Sequence, residues 1–421
     1  MGTIGIEEEE AGLADAGLLV SAVYQPVIEL ESGGVVGYEA LARGPQGGEL
    51  ERPDKLLSAA RRAGLLAQVD WECRLAAVSG ALDAGLDRST TLFLNMEPEA
   101  VGPSAQGDGR TPELWQRAER ALSVAVELPA GALRSRPREL VRAADACRDR
   151  GWKVVLDDVG ADRGSLAVLP LVAPDAIKLD LRAARAADAA APTLSDVATA
   201  VWAEQERTGA AIVAEGIETE RQLEQARGIG ATLGQGWLWG RPGALPAEPA
   251  AAAPDPLPRE RREVALTGTP FELVAAARQA REATAATLGA MSRHLERLAG
   301  TIGAGAIVLA AFQEAGNLGA RVRNRYRLLA GSSTLVAALG AGVSPQPAVG
   351  VVGADLADDD ALRQEWAVVV LAPTYAAALV GRDLGDDPAT TPARERRFRF
   401  VLTHDRDLVV AAARSLAARL G

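Results

Sequence analysis

The sequence predicts an α/β protein in two parts: an N-terminal (β/α)8-type barrel and a smaller C-terminal α/β domain. Three observations predict it. Eight short apolar runs of strand length lie between residues 21 and 237, several of them nearly continuous in apolar character, as strands covered on both faces are. Helical periodicity fills the gaps between them, the alternation that builds parallel sheets and barrels. A proline-rich stretch at 242–258 then separates this series from a second set of strands and helices.

In chain order, residues 1–15 read as an acidic disordered leader carrying Glu7 to Glu10. The barrel occupies 16–243, with strands at 21–30, 34–40, 91–95, 123–127, 153–157, 176–180, 211–215 and 231–237. The first two lie too close for a crossover helix, and Gly33-Gly34 between them reads as a hairpin turn, which allows one barrel strand to run antiparallel. Helices are predicted at 53–66, 69–84, 137–150, 195–208 and 219–227. Pro53 and Pro137 suit first-turn positions, and Thr219 with Gln222 fits a capping box. Residues 244–262 form a Pro/Ala-rich linker, a semi-rigid composition. The second domain, 263–421, is predicted to have a long amphipathic helix near 271–298, strands at 306–312, 334–339, 367–371 and 398–403, and a final helix near 405–420.

Composition bounds the function. The chain has 421 residues, 48% hydrophobic and 24% charged, and a net charge of −11. An acidic surface repels phosphate backbones, so a nucleic-acid polymer is not an expected partner. Two cysteines, Cys73 and Cys147, fit a reducing compartment. The uncharged stretches at 328–354 and 367–381 are broken by Gly and Pro and read as buried strands with loops, so a cytoplasmic protein without a membrane partner is expected. The two histidines, His294 and His404, both fall in the second half. Ser-His-Asp triads and His-ligated zinc are thereby excluded from the barrel. Arg321, Arg323, Arg325 and Arg327 read as a solvated helix face.

The polar residues fall in a pattern. Glu39, Asn95, Glu127, Asp157 with Asp158, Lys178 with Asp180, and Glu215 stand at the ends of successive strands, and Gln235 lies in the eighth. The C-terminal strand ends of such a barrel share one face, where its site is built. Crowded carboxylates raise one another's pKa unless cations neutralise them. All-oxygen donors select hard cations: Mg²⁺ or Mn²⁺, with Ca²⁺ a further option. Adjacent Asp157 and Asp158 suit the bridging of two ions in an in-line phosphoryl displacement. Lys178 would orient the water or neutralise developing charge, and Glu215 would hold the water or accept its proton.

Tyr24-Gln25-Pro26-Val27-Ile28 followed by Gly37-Tyr38-Glu39-Ala40-Leu41-Ala42-Arg43 resembles the signature of EAL domains, which are cyclic di-GMP phosphodiesterases. The resemblance continues through Phe93-Leu94-Asn95, Val126-Glu127-Leu128, Leu156-Asp157-Asp158-Val159-Gly160, Ile177-Lys178-Leu179-Asp180, Val213-Ala214-Glu215-Gly216 and Gln235-Gly236-Trp237, ending at Arg241-Pro242. An isolated Glu-Ala-Leu carries no weight in a chain so rich in Ala and Leu; the ordered series does. It implies cleavage of cyclic di-GMP to linear pGpG, with Mg²⁺ or Mn²⁺, two ions per site. It places the metal ligands at Glu39, Asn95, Glu127, Asp157 and Asp158, the catalytic residues at Lys178 and Glu215, and Gln235 in support. Substrate contacts fall on Gln25 and Arg43, whose guanidinium suits phosphate; Asp180, Glu218 and Pro242 are further substrate-side candidates. For Asp180 a capping role, and for Glu218 a helix first-turn role, are equal readings. A homodimer is implied by the same analogy.

The chain also departs from the family. The segment after the Asp pair usually reads Asp-Asp-Phe-Gly-Thr-Gly-Tyr-Ser-Ser and here reads Asp157-Asp158-Val159-Gly160-Ala161-Asp162-Arg163-Gly164-Ser165. A glutamate that often anchors this loop is replaced by Ala130. A non-catalytic cyclic di-GMP receptor and a signalling scaffold are therefore the alternative readings. In the second domain, 367–383 and 397–407 resemble the DICT sensory domain, which implies an unidentified sensory ligand or protein partner.

Overall fold

In the computed structural model of the chain, residues 20–101, 112–180, 192–246, 257, 268–387 and 389–420 are described. The predicted acidic leader and most of the predicted linker lie outside the described residues. Eight strands close into a barrel: β1 (Ser21–Glu29), β2 (Val35–Arg43), β3 (Thr91–Asn95), β4 (Ser123–Pro129), β5 (Lys153–Val159), β6 (Ala176–Asp180), β7 (Ala211–Glu215) and β8 (Leu233–Gly234). Strand β1 runs antiparallel to both β2 and β8, and the remaining neighbours are parallel. The β1–β2 turn closes at Gly33, whose φ of 74° is the left-handed conformation that glycine adopts without a Cβ penalty.

The barrel helices are α1 (Pro53–Arg62), α2 (Leu66–Asp83), α3 (Pro112–Ala121), α4 (Ala132–Ser135), α5 (Pro137–Asp149), α6 (Arg163–Ala167), α7 (Leu169–Val172), α8 (Leu194–Thr208) and α9 (Glu220–Gly228). Proline occupies the first turns of α1 and α5, where its missing N–H costs nothing. The cap of α9 is half of the predicted box: Thr219 Oγ1 accepts from the Gln222 amide, while Gln222 Oε1 accepts from the Thr219 hydroxyl at 3.0 Å and from the Glu218 N–H at 2.9 Å rather than from the Thr219 N–H. Glu218 therefore precedes the helix, and Glu220 is its first-turn acid. The eighth strand is only two residues long, against the seven predicted at 231–237, and Gln235 lies just beyond it.

The C-terminal domain is a seven-stranded sheet: β9 (Arg281–Thr284), β10 (Ile307–Glu314), β11 (Leu335–Ala341), β12 (Val352–Asp355), β13 (Glu365–Ala372), β14 (Tyr375–Asp383) and β15 (Arg397–Thr403), in the order β12-β11-β10-β13-β14-β15-β9. Its helices are α10 (Pro270–Ala275), α11 (Ala285–Ile302), α12 (Ala320–Ala330) and α13 (Arg406–Ala417). The single helix predicted over 271–298 is instead α10, β9 and α11. Residues 281–284 pair antiparallel with β15, Ala283 opposite Phe398, so the edge of the sheet takes four residues from the helical pattern.

Both faces of this sheet are apolar. Val308 and Ala310 face α11 and α12, while Ile307, Leu309 and Ala311 face α13 and the barrel helices, the alternation a strand imposes. Helix α13 is the shared wall. Arg414 donates to the Leu171 carbonyl at 2.8 Å and pairs with Asp145, and Arg207 meets Asp407 at 3.1 Å. Helix α6 packs on the short 3-10 turn Gly303–Gly305 of the C-terminal domain. A Cβ on Gly164 would lie 3.1 Å from the Thr334 side chain, so this close approach uses glycine. No described helix is long and apolar enough to cross a membrane.

Candidate active site

Side chains alternate along a strand, so one barrel-facing set recurs every second residue. Phe93, Ala125, Val155, Ala176, Val213 and Leu233 form an apolar layer, joined by Leu257 of the predicted linker. Two residues further along the same strands stand Asn95, Glu127, Asp157, Lys178, Glu215 and Gln235. That step, roughly 6–7 Å along a strand, moves from a packed interior to a polar mouth at the C-terminal ends.

Strand β5 breaks the alternation. Its pairing with β6 shifts between Leu156 and Val159, and Asp158 has a φ of 57°. A non-glycine residue held there costs roughly 1–3 kcal/mol. The Asp158 N–H turns back to donate to Asp157 Oδ1 at 2.8 Å. The bulge keeps both aspartates at one strand end, where burial and then the Asp157 charge push the Asp158 carboxyl above its usual range.

Lys178 is the centre of the mouth and is almost fully buried. Its Nζ lies 2.7 Å from Glu215 Oε1, 2.9 Å from Glu127 Oε2, 3.3 Å from Glu39 Oε2 and 3.8 Å from Asp157 Oδ1. Burial alone would lower its pKa; the four carboxylates outweigh burial and hold the ammonium charged. Glu39 accepts from Asn95 Nδ2 at 3.1 Å and Gln235 Nε2 at 2.7 Å. Those bonds and Lys178 overcome burial and keep its pKa below the usual value. Burial, followed by repulsion from Glu39, drives the Glu127 carboxyl well above its normal range. Burial also lifts Glu215 to about 8, against the pull of Lys178.

One ammonium thus faces four carboxylates. Glu127 Oε1 is buried with no hydrogen-bond partner among the described residues, which ordinarily costs about 1–3 kcal/mol or more. Among the described residues no group of three or more His, Cys, Asp or Glu side chains is spaced to hold a metal ion; the carboxylates are instead drawn onto the Lys178 ammonium. The excess negative charge, the unsatisfied oxygen and the all-oxygen donor set fit hard divalent cations.

The predicted site residues divide into three groups. Glu39, Asn95, Glu127, Asp157, Lys178, Glu215 and Gln235 form one network, with Asp158 beside it. Asp180 sits opposite Glu215 in the β6–β7 register and two residues from Lys178. At the rim, Gln25 Nε2 donates to the Gly240 carbonyl at 3.0 Å, and Tyr24 and Gly243 exchange backbone bonds. Gln25 and Pro242 are thereby fastened side by side. Arg43, four residues beyond Glu39, bonds the Ala42 carbonyl and lines a shallow rim cavity with Leu41 and Arg52. Glu218 is exposed, and no hydrogen bond or ion pair joins its carboxylate to the network among the described residues.

One support was not predicted. Asp162 caps α6 by accepting from the Ser165 N–H at 2.8 Å, and Ser165 Oγ in turn accepts from the Gly160 N–H at 2.8 Å. The divergent segment after the Asp pair carries its own hydrogen-bonded frame. The signal was an Asp three residues before a Ser at a helix start.

The EAL domain model matches residues 16–242. The model described as a sensory domain in diguanylate cyclases and two-component systems, DICT, matches 272–384. The chain is 30% identical over 229 residues to the cyclic di-GMP phosphodiesterase NbdA of Pseudomonas aeruginosa, covering 53% of this chain and 29% of that protein. It is 28% identical over 224 residues to the cyclic di-GMP phosphodiesterase RocR of the same organism, covering 52% of this chain and 57% of that protein. Among solved structures, a manganese/cyclic di-GMP complex of Klebsiella pneumoniae BlrP1 aligns at 25% identity and a TM-score of 0.45, covering 53% of this chain and 56% of the other. The chain spans less than two thirds of the length of these relatives. With more than half its length matched by the family model and the barrel mouth arranged as described, the chain belongs to the EAL-domain family and carries a C-terminal DICT sensory domain.

Proposed function

We propose that this chain hydrolyses cyclic di-GMP to linear pGpG, using Mg²⁺ or Mn²⁺, two ions per site, under the control of the DICT domain, with the chain divided near residues 243 and 263. The observation that carries the proposal is the Lys178 ammonium set among Glu39, Glu127, Asp157 and Glu215 at the barrel mouth. The names of the related phosphodiesterases support it.

Divalent ions bound by Glu39, Asn95, Glu127, Asp157 and Asp158 would supply a water of lowered pKa and neutralise charge on the phosphate. The protein does the rest. Glu215 accepts the proton of the attacking water, its carboxyl raised by burial to about 8 against the pull of Lys178. Lys178 holds its charge against the charge that develops on the phosphoryl oxygens. Gln235 and Asn95 fix the Glu39 carboxylate from both oxygens. Arg43 and Gln25 take the substrate side. Water oxygen bonds to phosphorus as one phosphoester bond breaks, and the departing sugar oxygen takes a proton.

A receptor that binds without cutting is the alternative suggested by the departure at 159–165. The Asp162, Ser165 and Gly160 hydrogen bonds support that segment internally and favour the enzyme. Control by the DICT domain draws support from the packing of α6, which starts five residues after Asp158, on Gly303–Gly305.

The test is chromatographic analysis of purified protein with cyclic di-GMP and each divalent ion. pGpG formation is expected; saturable binding without product would establish the receptor. For the control, Thr334→Val removes the hydroxyl that bonds the Ala304 carbonyl beneath α6. Altered kcat is expected, and identical kinetics would exclude this route.

A further inference from the structure

On the face of the C-terminal sheet away from the barrel lies a cavity of about 540 Å³ between α11, α12 and the sheet, a volume within the usual range for small-molecule sites. Trp366, Phe312 and Phe398 give it aromatic walls. Trp366 meets Phe398 edge to face at 5.7 Å, and its indole N–H donates to Ser292 Oγ at 3.0 Å. The Trp366 ring is thereby fixed by a ring contact and a hydrogen bond.

The remaining lining is cationic. Four arginines, Arg293, Arg321, Arg325 and Arg396, face one carboxylate, Glu296. The predicted solvated arginine face of α12 holds for Arg321, Arg323 and Arg327, which are exposed, and is corrected at Arg325, which is half-buried and pairs with buried Glu296. Arg396 is taken by Asp383. Arg293 and Arg321 make no ion pair among the described residues. Two uncommitted guanidinium groups at the rim of an aromatic cavity attract an anion in a chain that is acidic overall. A bulge in β10 between Ala311 and Glu314 adds a local strain, with Gln313 at a φ of 63° in the cavity wall. Bulges re-aim side chains near sites.

We propose that this cavity is a binding site for a small planar aromatic anion, its ring against Trp366 and Phe312 and its acid group on Arg293 and Arg321. The stacked ring explains the aromatic walls, and the acid group explains the two arginines left over after Arg325 and Arg396 are paired.

Titration calorimetry of the full chain tests it with three probes: naphthoate, its neutral analogue naphthalenemethanol, and the saturated acid decalin carboxylate. Naphthoate is expected to bind saturably and about tenfold or more tighter than either of the others, since a charge-assisted bond and an aromatic face each contribute on that scale. Arg293→Ala with Arg321→Ala is expected to weaken naphthoate about tenfold while leaving naphthalenemethanol unchanged. Gly289→Met fills the cavity from the surface of α11, where a Cβ would meet Arg293 Nη1 at 3.3 Å and Trp366 at 3.8 Å. It removes no core atom, and it is expected to abolish binding with the melting temperature preserved. Equal affinity for naphthoate and either control, indifference to the arginine or glycine substitutions, or no saturable binding at millimolar naphthoate would each overturn the proposal.

Discussion

The Lys178 Nζ lies 2.7 Å from Glu215 Oε1 at the barrel mouth. Lys178 is almost fully buried and Glu215 partly so, and the same ammonium serves Glu127, Glu39 and Asp157. A single cation shared among four carboxylates leaves the site short of positive charge. A divalent ion would relieve that shortage, and the stability of the barrel is then expected to respond to added metal.

Removing the ammonium sharpens the shortage. Lys178→Met keeps the length of the side chain and leaves Glu127 and Glu39 buried without compensation. Such a loss costs about 3–5 kcal/mol. The variant is expected to melt well below the parent without metal and to gain more from added manganese than the parent does, because binding to the folded state alone stabilises it. Thermal melts with and without manganese check this; an equal manganese response in both proteins contradicts it.

Glu39 is held at both oxygens, by Asn95 and Gln235. Glu39→Ala is expected to lower pGpG formation by at least about a hundredfold, since even groups that only orient metal ligands cost 10–100-fold when lost. Gln235→Ala should show a smaller loss, about tenfold. Product chromatography measures both.

Asp162 closes the loop after the Asp pair through Ser165. Asp162→Ala removes a helix N-cap worth about 1 kcal/mol. The expected result is a modest fall in melting temperature and a larger fall in kcat, about tenfold, with KM little changed, because the loosened segment carries Asp157 and Asp158. A loss confined to stability would remove this loop from the catalytic account.

Arg414 ties the two domains through the Leu171 carbonyl and Asp145. Arg414→Ala leaves that buried carbonyl unpaired, at a cost of about 1–3 kcal/mol. Differential scanning calorimetry is expected to broaden or split the unfolding transition as the domains uncouple.

Cys147 is buried, and burial pushes its thiol up to about 12. The folded state therefore keeps a proton that the unfolded chain releases near pH ~8.5. Stability is complete below that pH and falls by about 1.4 kcal/mol per pH unit above it until the folded thiol titrates. Thiol-directed alkylation at pH ~8 should leave Cys147 unmodified in the native protein and label it after denaturation.

Much of the barrel was legible because its evidence is local. Each strand is a short apolar run that ends in its own polar residue, and a period of two places that residue on the inner face without knowledge of the neighbours. Six members of the network were named from such strand ends, and Gln235 from within the predicted eighth strand. The C-terminal domain was less legible. Residues 281–284 follow a helical pattern but pair with β15, a choice that depends on an exposed strand edge far away in sequence. Arg325 sits in an arginine-rich helix that looks solvated, and only the approach of α11 brings Glu296 against it. Strand β8 shrank to two residues because closure on β1 leaves room for only Ile28 and Glu29 as partners.

The sequence by itself determined the fold class, the order of the barrel, its family and the list of oxygen donors, because each follows from local periodicity and residue chemistry. Only the tertiary structure decided that Lys178 is shared by four carboxylates, that the Asp158 bulge keeps two aspartates at one strand end, and that α6 rests on the C-terminal domain. These are relations between segments distant in the chain, and they exist only once the barrel closes and the two domains bury a common apolar face.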